Sequence, residues 1–103
     1  MKVEWTEHAK RQRDQIAEYI RQQFGAKRET QFLQEVRRTT KAIRCSPGVG
    51  TIDSLYNDRP KTYRSVIING LNKMVYRVDN DTIYIVAFWD TRREPKNQAS
   101  QTE

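Results

Sequence analysis

Cysteine, histidine and long apolar runs are what this chain of 103 residues has least of. A single cysteine, Cys45, excludes an internal disulfide framework. With His8 as the one histidine there is no Cys/His set at metal-ligand spacing, which excludes a structural zinc site. No stretch approaches the roughly 18 apolar residues of a membrane span, and the opening MKVEWTEH has no apolar signal core. A cytoplasmic protein without a membrane partner is therefore expected. Acidic residues are missing between Arg59 and Arg77, where Arg59, Lys61, Arg64, Lys73 and Arg77 form the most lopsided charge stretch of the chain. With a formal net charge of +6, an anionic partner is expected, either nucleic acid or an acidic protein segment. The length allows one domain. Hydrophobic content of 36% against 31% charged residues means that its core must come from a few well-ordered stripes.

What is there is organised around residues 72–95, NKMVYRVDNDTIYIVAFWDTRREP. β-Branched and aromatic residues flank Asp79-Asn80-Asp81, which predicts a hairpin of strands at about Lys73–Val78 and Thr82–Phe88. Alternation places Met74, Tyr76 and Val78 on one face and Val75, Arg77 and Asp79 on the other, so the first strand reads as half buried. In the second strand Ile83/Ile85/Ala87 and Tyr84/Val86/Phe88 are both apolar sets, the pattern of a central strand covered on both faces. It runs into Asp90-Thr91-Arg92-Arg93, delivering two guanidinium groups to the rim of the sheet.

Before it, Lys2–Thr6 reads as a short strand with Val3 and Trp5 on one face, and Thr6 as the N-cap of a helix from Glu7 to Phe24. Ile16, Tyr19, Ile20 and Phe24 make its apolar stripe, and Gly25 ends it. A second helix begins between Ala26 and Glu29 and continues to about Arg44, with Phe32, Leu33, Val36, Thr40 and Ile43 as its stripe. So short a connection makes the two helices antiparallel neighbours. Each is about 27 Å long at about 1.5 Å per residue, enough to lie across one face of a small sheet. Both stripes are expected to be core.

Ser46-Pro47-Gly48 breaks the second helix, and a surface loop lasts to about Pro60, pinned by Leu55 and Tyr56. Tyr63–Ile68 is the next strand, and Asn69-Gly70 turns it into the Lys73 strand. The fold class is thus α+β, ordered β-α-α-β-β-β, an antiparallel sheet with a helical hairpin on one face. Residues 1–95 form the domain, and 96–103, KNQASQTE, with no apolar residue larger than alanine, are expected to fray.

If the meander forms this way, Arg64 and Arg93 are expected at the same end of the sheet, with Lys73 placed by register. Such a cluster suits a phosphodiester, because guanidinium offers paired donors to phosphate oxygens and stabilises developing charge. The plainer alternative is a solvated, charge-protected strand surface. Proton-transfer groups are scarce. His8, at the start of the first helix, reads as a surface residue, and Tyr56, Tyr63, Tyr76 and Tyr84 suit core or rim. Cys45 lacks a neighbouring histidine and sits at a helix C-terminus, the wrong end for stabilising a thiolate. An enzyme would be poorly equipped, and no cofactor is implied.

In Thr6-Glu7-His8-Ala9, Ile16…Tyr19-Ile20…Phe24-Gly25, Ser46-Pro47-Gly48, Tyr63-Arg64, Lys73–Val78, Ile83-Tyr84-Ile85 and Arg92-Arg93-Glu94-Pro95, the chain resembles the RelE/ParE toxins of type II toxin–antitoxin modules. The resemblance spans nearly the whole chain. It implies a cognate antitoxin that wraps the toxin through a disordered, often acidic segment. In the ribosome-dependent ribonuclease branch, basic residues match at Arg64, Lys73 and Arg93, which would be the catalytic set. Val66 stands where a second lysine is expected, the terminal tyrosine has no counterpart in KNQASQTE, and Phe88-Trp89 replaces a histidine. The gyrase-poisoning ParE branch is the better match, through the long first helix, Phe24-Gly25 and the Arg-Arg-x-Pro close. That resemblance implies a toxin that binds a DNA gyrase–DNA assembly with no chemistry of its own. The alternatives are a ribosome-dependent mRNA endoribonuclease and a plain basic nucleic-acid-binding module. Arg59, Lys61, Arg64, Arg77, Arg92 and Arg93 are the expected target or antitoxin contacts, and the oligomeric state stays open.

Overall fold

The computed structural model describes residues 1–93 and 95–102. Strand β1 (Lys2–Trp5) leads into helices α1 (Glu7–Phe24) and α2 (Ala26–Cys45). After them come β2 (Thr51–Ile52), a 3₁₀ turn (Ser54–Tyr56), β3 (Tyr63–Ile68), β4 (Asn72–Asp79), β5 (Thr82–Asp90) and α3 (Pro95–Ser100). Thr6 caps α1 as expected, its hydroxyl accepting from the Ala9 N–H at 3.2 Å. Gly25, at φ 96°, alone joins the two long helices: its N–H reaches Arg21 O at 2.9 Å, and its own carbonyl accepts from Glu29 at 3.2 Å. That backbone conformation strains any residue with a Cβ. Asn69 and Gly70 both have positive φ, as a primed turn requires.

The sheet order is β1-β5-β4-β3-β2. The α+β layout and the helical hairpin on one face agree with the sequence reading, but the sheet is mixed. β1 adds to the outer edge of β5 in parallel, from Lys2↔Thr82 to Trp5↔Ile85. A strand linked to its neighbour by so long a connection is free to run either way. Strand β2, only two residues, is too short to carry a periodic signal.

One irregularity reorganises the core. Val75 pairs with Ala87 but Tyr76 pairs with Ile85, leaving Val86 as an extra residue, a β-bulge. Beyond it the alternation of β5 inverts. Phe88 joins Ile83 and Ile85 under the helices, while Ala87 and Trp89 join Val86 and Tyr84 on the other face. The alternation expected from sequence, with Ala87 beside Ile85 and Phe88 beside Tyr84, is therefore corrected after the bulge.

Under the helices, Phe32, Val36 and Ile43 of α2 pack on Met74, Tyr76, Ile83, Ile85 and Phe88. Phe32 meets Phe88 edge-on, with ring centroids 5.8 Å apart. α1 approaches through its small residues, Ala9 and Ala17, which are its buried ones. Its expected core stripe is only half used: Ile16 and Ile20 are partly covered, whereas Tyr19 and Phe24 are each 57% exposed. β4 is also more than half buried, since Val75 is fully enclosed on the far side.

That far side is closed by the segment expected to fray. Residues 96–102 form most of α3 and its extension, with Gln98, Ala99 and Thr102 buried. Polar bonds hold them rather than apolar bulk, which is why composition alone misleads. Arg59 lies over the stacked Tyr56 and Tyr63 rings, 4.6 and 5.4 Å from their centroids. It donates to Ala99 O at 2.6 Å and Thr102 O at 3.0 Å. The Tyr56 hydroxyl meets Thr102 Oγ1 at 3.3 Å, and burial pushes the Tyr56 phenol pKa up. Glu94 of the Arg-Arg-Glu-Pro motif, and Glu103, lie outside the described residues.

Gln12 ties the two faces together. Its Oε1 accepts from the Phe88 N–H at 2.7 Å, on the β5 edge that β1 has left, and its Nε2 donates to Gln98 Oε1 at 3.2 Å. Replacing it with leucine strands a part-buried amide, which costs about 1–3 kcal/mol. Gln12→Leu is therefore expected to lower the urea midpoint and to speed hydrogen exchange at the Phe88 amide. An unchanged midpoint and exchange rate would mean that this bond contributes nothing.

Candidate functional site

The residues singled out from sequence do not form one patch. In a meander β3 and β5 run the same way, so the start of β3 and the end of β5 lie at opposite ends of the sheet. Arg64 pairs with Tyr76, and four ladder steps on, Ile68 pairs with Asn72, whose other partner is Asp90. That is about 13 Å at about 3.3 Å per residue, and Arg93 lies beyond Asp90 again. The expectation that Arg64 and Arg93 share an end is thereby overturned. Lys73 pairs with Ile67 and Trp89 on the face away from the helices, whereas Arg64 shares the helix face with Tyr76.

Several of these cations are already engaged. Lys73 Nζ sits 2.6 Å from Asp53 Oδ2 and 5.0 Å from the centre of the Trp89 ring. The lysine side chain is 17% exposed and the aspartate 5%, so this is a largely desolvated pair. Burial disfavours the Asp53 carboxylate, but hydrogen bonds from Lys73, the Leu55 amide and Ser65 outweigh it and hold its pKa below the ordinary 3.8. Arg59 clamps the C-terminal segment. Lys61 pairs with Asp79. Arg92 grips Asp90 through Nε and Nη2, the latter at 2.6 Å, and hydrogen bonding from Arg92 lowers the Asp90 pKa. Arg93 is exposed and makes no ion pair among the described residues. His8, read from sequence as a surface residue, is half buried, with Nε2 enclosed and unpartnered. No cluster of His, Cys, Asp and Glu among the described residues is able to hold a metal ion.

Concave surfaces lie at both ends of the sheet. At the end of the sheet beyond Asn72 and Asp90, the hairpin tip overhangs a groove of about 1020 Å³. Ile16, Tyr19, Ile20, Phe24, Leu71 and Phe88 supply its apolar surface, and Arg28, Arg38, Arg92 and Arg93 line it beside Glu35 and Asp90. The Arg28 guanidinium lies 5.3 Å from the centre of the Phe24 ring. Sequence reading missed this groove because the α1 stripe has ordinary core spacing. The overhang follows from position: α1 starts beside Ile85 and Val86, near the end of β5, and so runs on past it.

At the other end is a smaller pocket of about 420 Å³, lined by Ile52, Lys61, Arg64, Tyr76, Arg77 and Val78 among others. Three of the expected cations border it without converging: Arg64 lies on the helix face beside Tyr76, Arg77 on the other face against Tyr84, and Lys61 is held by Asp79. The Ser46–Gly50 break is fastened beside it: the Tyr76 hydroxyl donates to Pro47 O at 2.6 Å and accepts from the Gly50 N–H at 2.9 Å. A Cβ on Gly50 would fall 2.7 Å from that hydroxyl, so only glycine fits. Arg64 Nη1 donates to Gly50 O at 2.9 Å.

A family model described as the ParE toxin of the type II toxin–antitoxin system parDE matches residues 3–95. Among solved structures, a chain from the chromosomal ParDE toxin–antitoxin system of P. aeruginosa superposes with a TM-score of 0.70. It is 18% identical over 87% of this chain and 95% of that one, a likeness of fold. No curated protein matches the chain by sequence. No helix among the described residues is long and apolar enough to cross a membrane.

The Asp53–Lys73 pair is open to direct measurement. Removing either partner alone leaves a buried charge and is expected to cost about 3–5 kcal/mol, while the double replacement Asp53→Leu with Lys73→Met recovers most of that loss. Because the folded-state pKa of Asp53 is depressed, its stabilisation is complete above 3.8 and fades as pH falls through the lower folded-state value. Melting temperatures of the four proteins against pH check both points. Additive single losses, or an identical acid limb in the double variant, would contradict the assignment.

Proposed function

The chain belongs to the ParE toxin family of type II toxin–antitoxin systems, and from that premise we propose that it inhibits DNA gyrase by binding, and that a cognate antitoxin neutralises it. The observation that carries the binding mode is the dispersal of Arg64, Lys73 and Arg93. They lie on different faces and ends of the sheet, and Lys73 is committed to Asp53. A ribonuclease needs such groups around one scissile phosphate. An inhibitor that traps a gyrase–DNA assembly needs only a stable surface.

The hairpin groove suits the antitoxin. Its apolar surface includes two highly exposed aromatics, Tyr19 and Phe24, and large exposed apolar surface on a small domain marks an interaction site. Arginines outnumber carboxylates around it. An amphipathic segment with acidic flanks fits both properties, docking as a helix in a groove.

Purified protein added to gyrase and supercoiled plasmid is expected to yield linear, protein-linked DNA. Intact supercoiling with no cleavage would overturn the reading, and codon-positioned cuts in translated mRNA would replace it with the ribonuclease alternative. For the groove, Phe24→Glu is expected to weaken antitoxin binding at least tenfold, about 1.4 kcal/mol. It should leave stability within about 0.5 kcal/mol, since the side chain is largely exposed. Calorimetric titration with the antitoxin checks this, and unchanged affinity would move the antitoxin elsewhere.

A further inference from the structure

We propose that the C-terminal segment is a latch whose docking is coupled to occupancy of the hairpin groove, with Gln12 as the link. The coupling deepens the reading of the groove as the antitoxin site and rests on it. Gln12 lines the groove together with Phe88, and it is only partly buried there. Its two amide atoms are committed in different directions. Oε1 accepts from the Phe88 N–H at 2.7 Å, and Nε2 donates at 3.2 Å to Oε1 of Gln98, a buried residue of α3. A second connection is covalent: Arg92 and Arg93 line the same groove, and α3 begins two residues further on, at Pro95.

The latch is built to open on its own. α3 has six residues, too few to hold a helix unaided, and Ala99 is the one residue it adds to the apolar cluster beneath it. Polar bonds keep it down: Arg59 on the carbonyls of Ala99 and Thr102, the Tyr56 hydroxyl on Thr102, and Gln12 on Gln98. Of these holding groups, Gln12 is the one that also faces the groove. Water on the groove side competes for its partly exposed amide, and a ligand seated there removes that water. A hydrogen bond shielded from water is electrostatically stronger, so a filled groove holds α3 down. Linkage makes the effect mutual: a docked α3 favours groove binding by the same factor.

Amide hydrogen exchange of the full chain reads the latch through the Gln101 and Thr102 amides, which bond to Gln98 O and Ala99 O. Saturation with the purified cognate antitoxin is expected to slow both by about fivefold or more. Gln98→Ala cuts the link without touching the Gln12–Phe88 bond. In that variant the slowing should vanish and antitoxin affinity should fall by the same factor, while the Phe88 amide is still slowed. Slowing that persists in Gln98→Ala would mean direct cover by the antitoxin and would overturn the coupling. Unchanged exchange in the native protein, where Phe24→Glu does weaken binding, would also overturn it and leave the groove reading intact. A partner-free arm covers Gln12 from its own helix, because a side chain at the exposed Gln15 leans back over the preceding turn. Gln15→Trp is expected to slow the two amides in the native background and to leave them unchanged in the Gln98→Ala background; the same response in both would overturn the coupling. Slowing by Gln15→Trp, together with antitoxin binding that ignores Phe24→Glu, would retain the coupling and refute the groove as the antitoxin site.

Discussion

Strand β5 carries apolar side chains on both of its faces, and Ile83, Ile85, Val86, Ala87 and Phe88 are wholly removed from water. A strand of that kind is stable only when both faces are roofed, and every other element serves that demand. The helical hairpin roofs one face, reaching close to the sheet through Ala9 and Ala17. The 3₁₀ turn and α3 roof the other, over Val75, Val86 and Trp89. The bulge at Val86 sets which side chains go to which roof, and so sends Phe88 toward Phe32 and Trp89 toward Lys73.

The second roof is thin in apolar atoms, and the protein makes up for it with charge and hydrogen bonds. Arg59 holds the C-terminal carbonyls from across the tyrosine stack, and Lys73 neutralises a buried Asp53. A strongly basic composition therefore overstates how much cationic surface is free for a partner. Of the cations expected as contacts, Arg92 and Arg93 border the apolar groove, while Lys61, Arg64 and Arg77 border the smaller pocket at the other end of the sheet.

Much of the architecture was legible in the order of residues. Thr6 and Gly25 bounded α1 correctly, Asn69-Gly70 turned the chain where expected, and the doubly apolar pattern of β5 marked it as central. The site was much less legible. Arg64, Lys73 and Arg93 share charge and strand context in the sequence, yet one lines a pocket, one sits in an ion pair and one is on the far rim. Residues 96–102 looked unable to fold because the groups that hold them, Gln12, Tyr56 and Arg59, lie far away along the chain.

The limits of α1 and α2, the Asn69-Gly70 turn, the four longer strands and the overall charge were thus determined by the sequence alone. Each depends on φ preferences, capping groups and periodicities that act within a few residues of one another. The facing of Phe88, the engagement of Lys73 and Arg59, the docking of α3 and the exposure of Tyr19 and Phe24 were decided only in the tertiary structure. Those outcomes depend on pairings such as Gln12 with Phe88 and Asp53 with Lys73. Such pairings leave no local mark, because each partner would satisfy its own neighbourhood equally well in water.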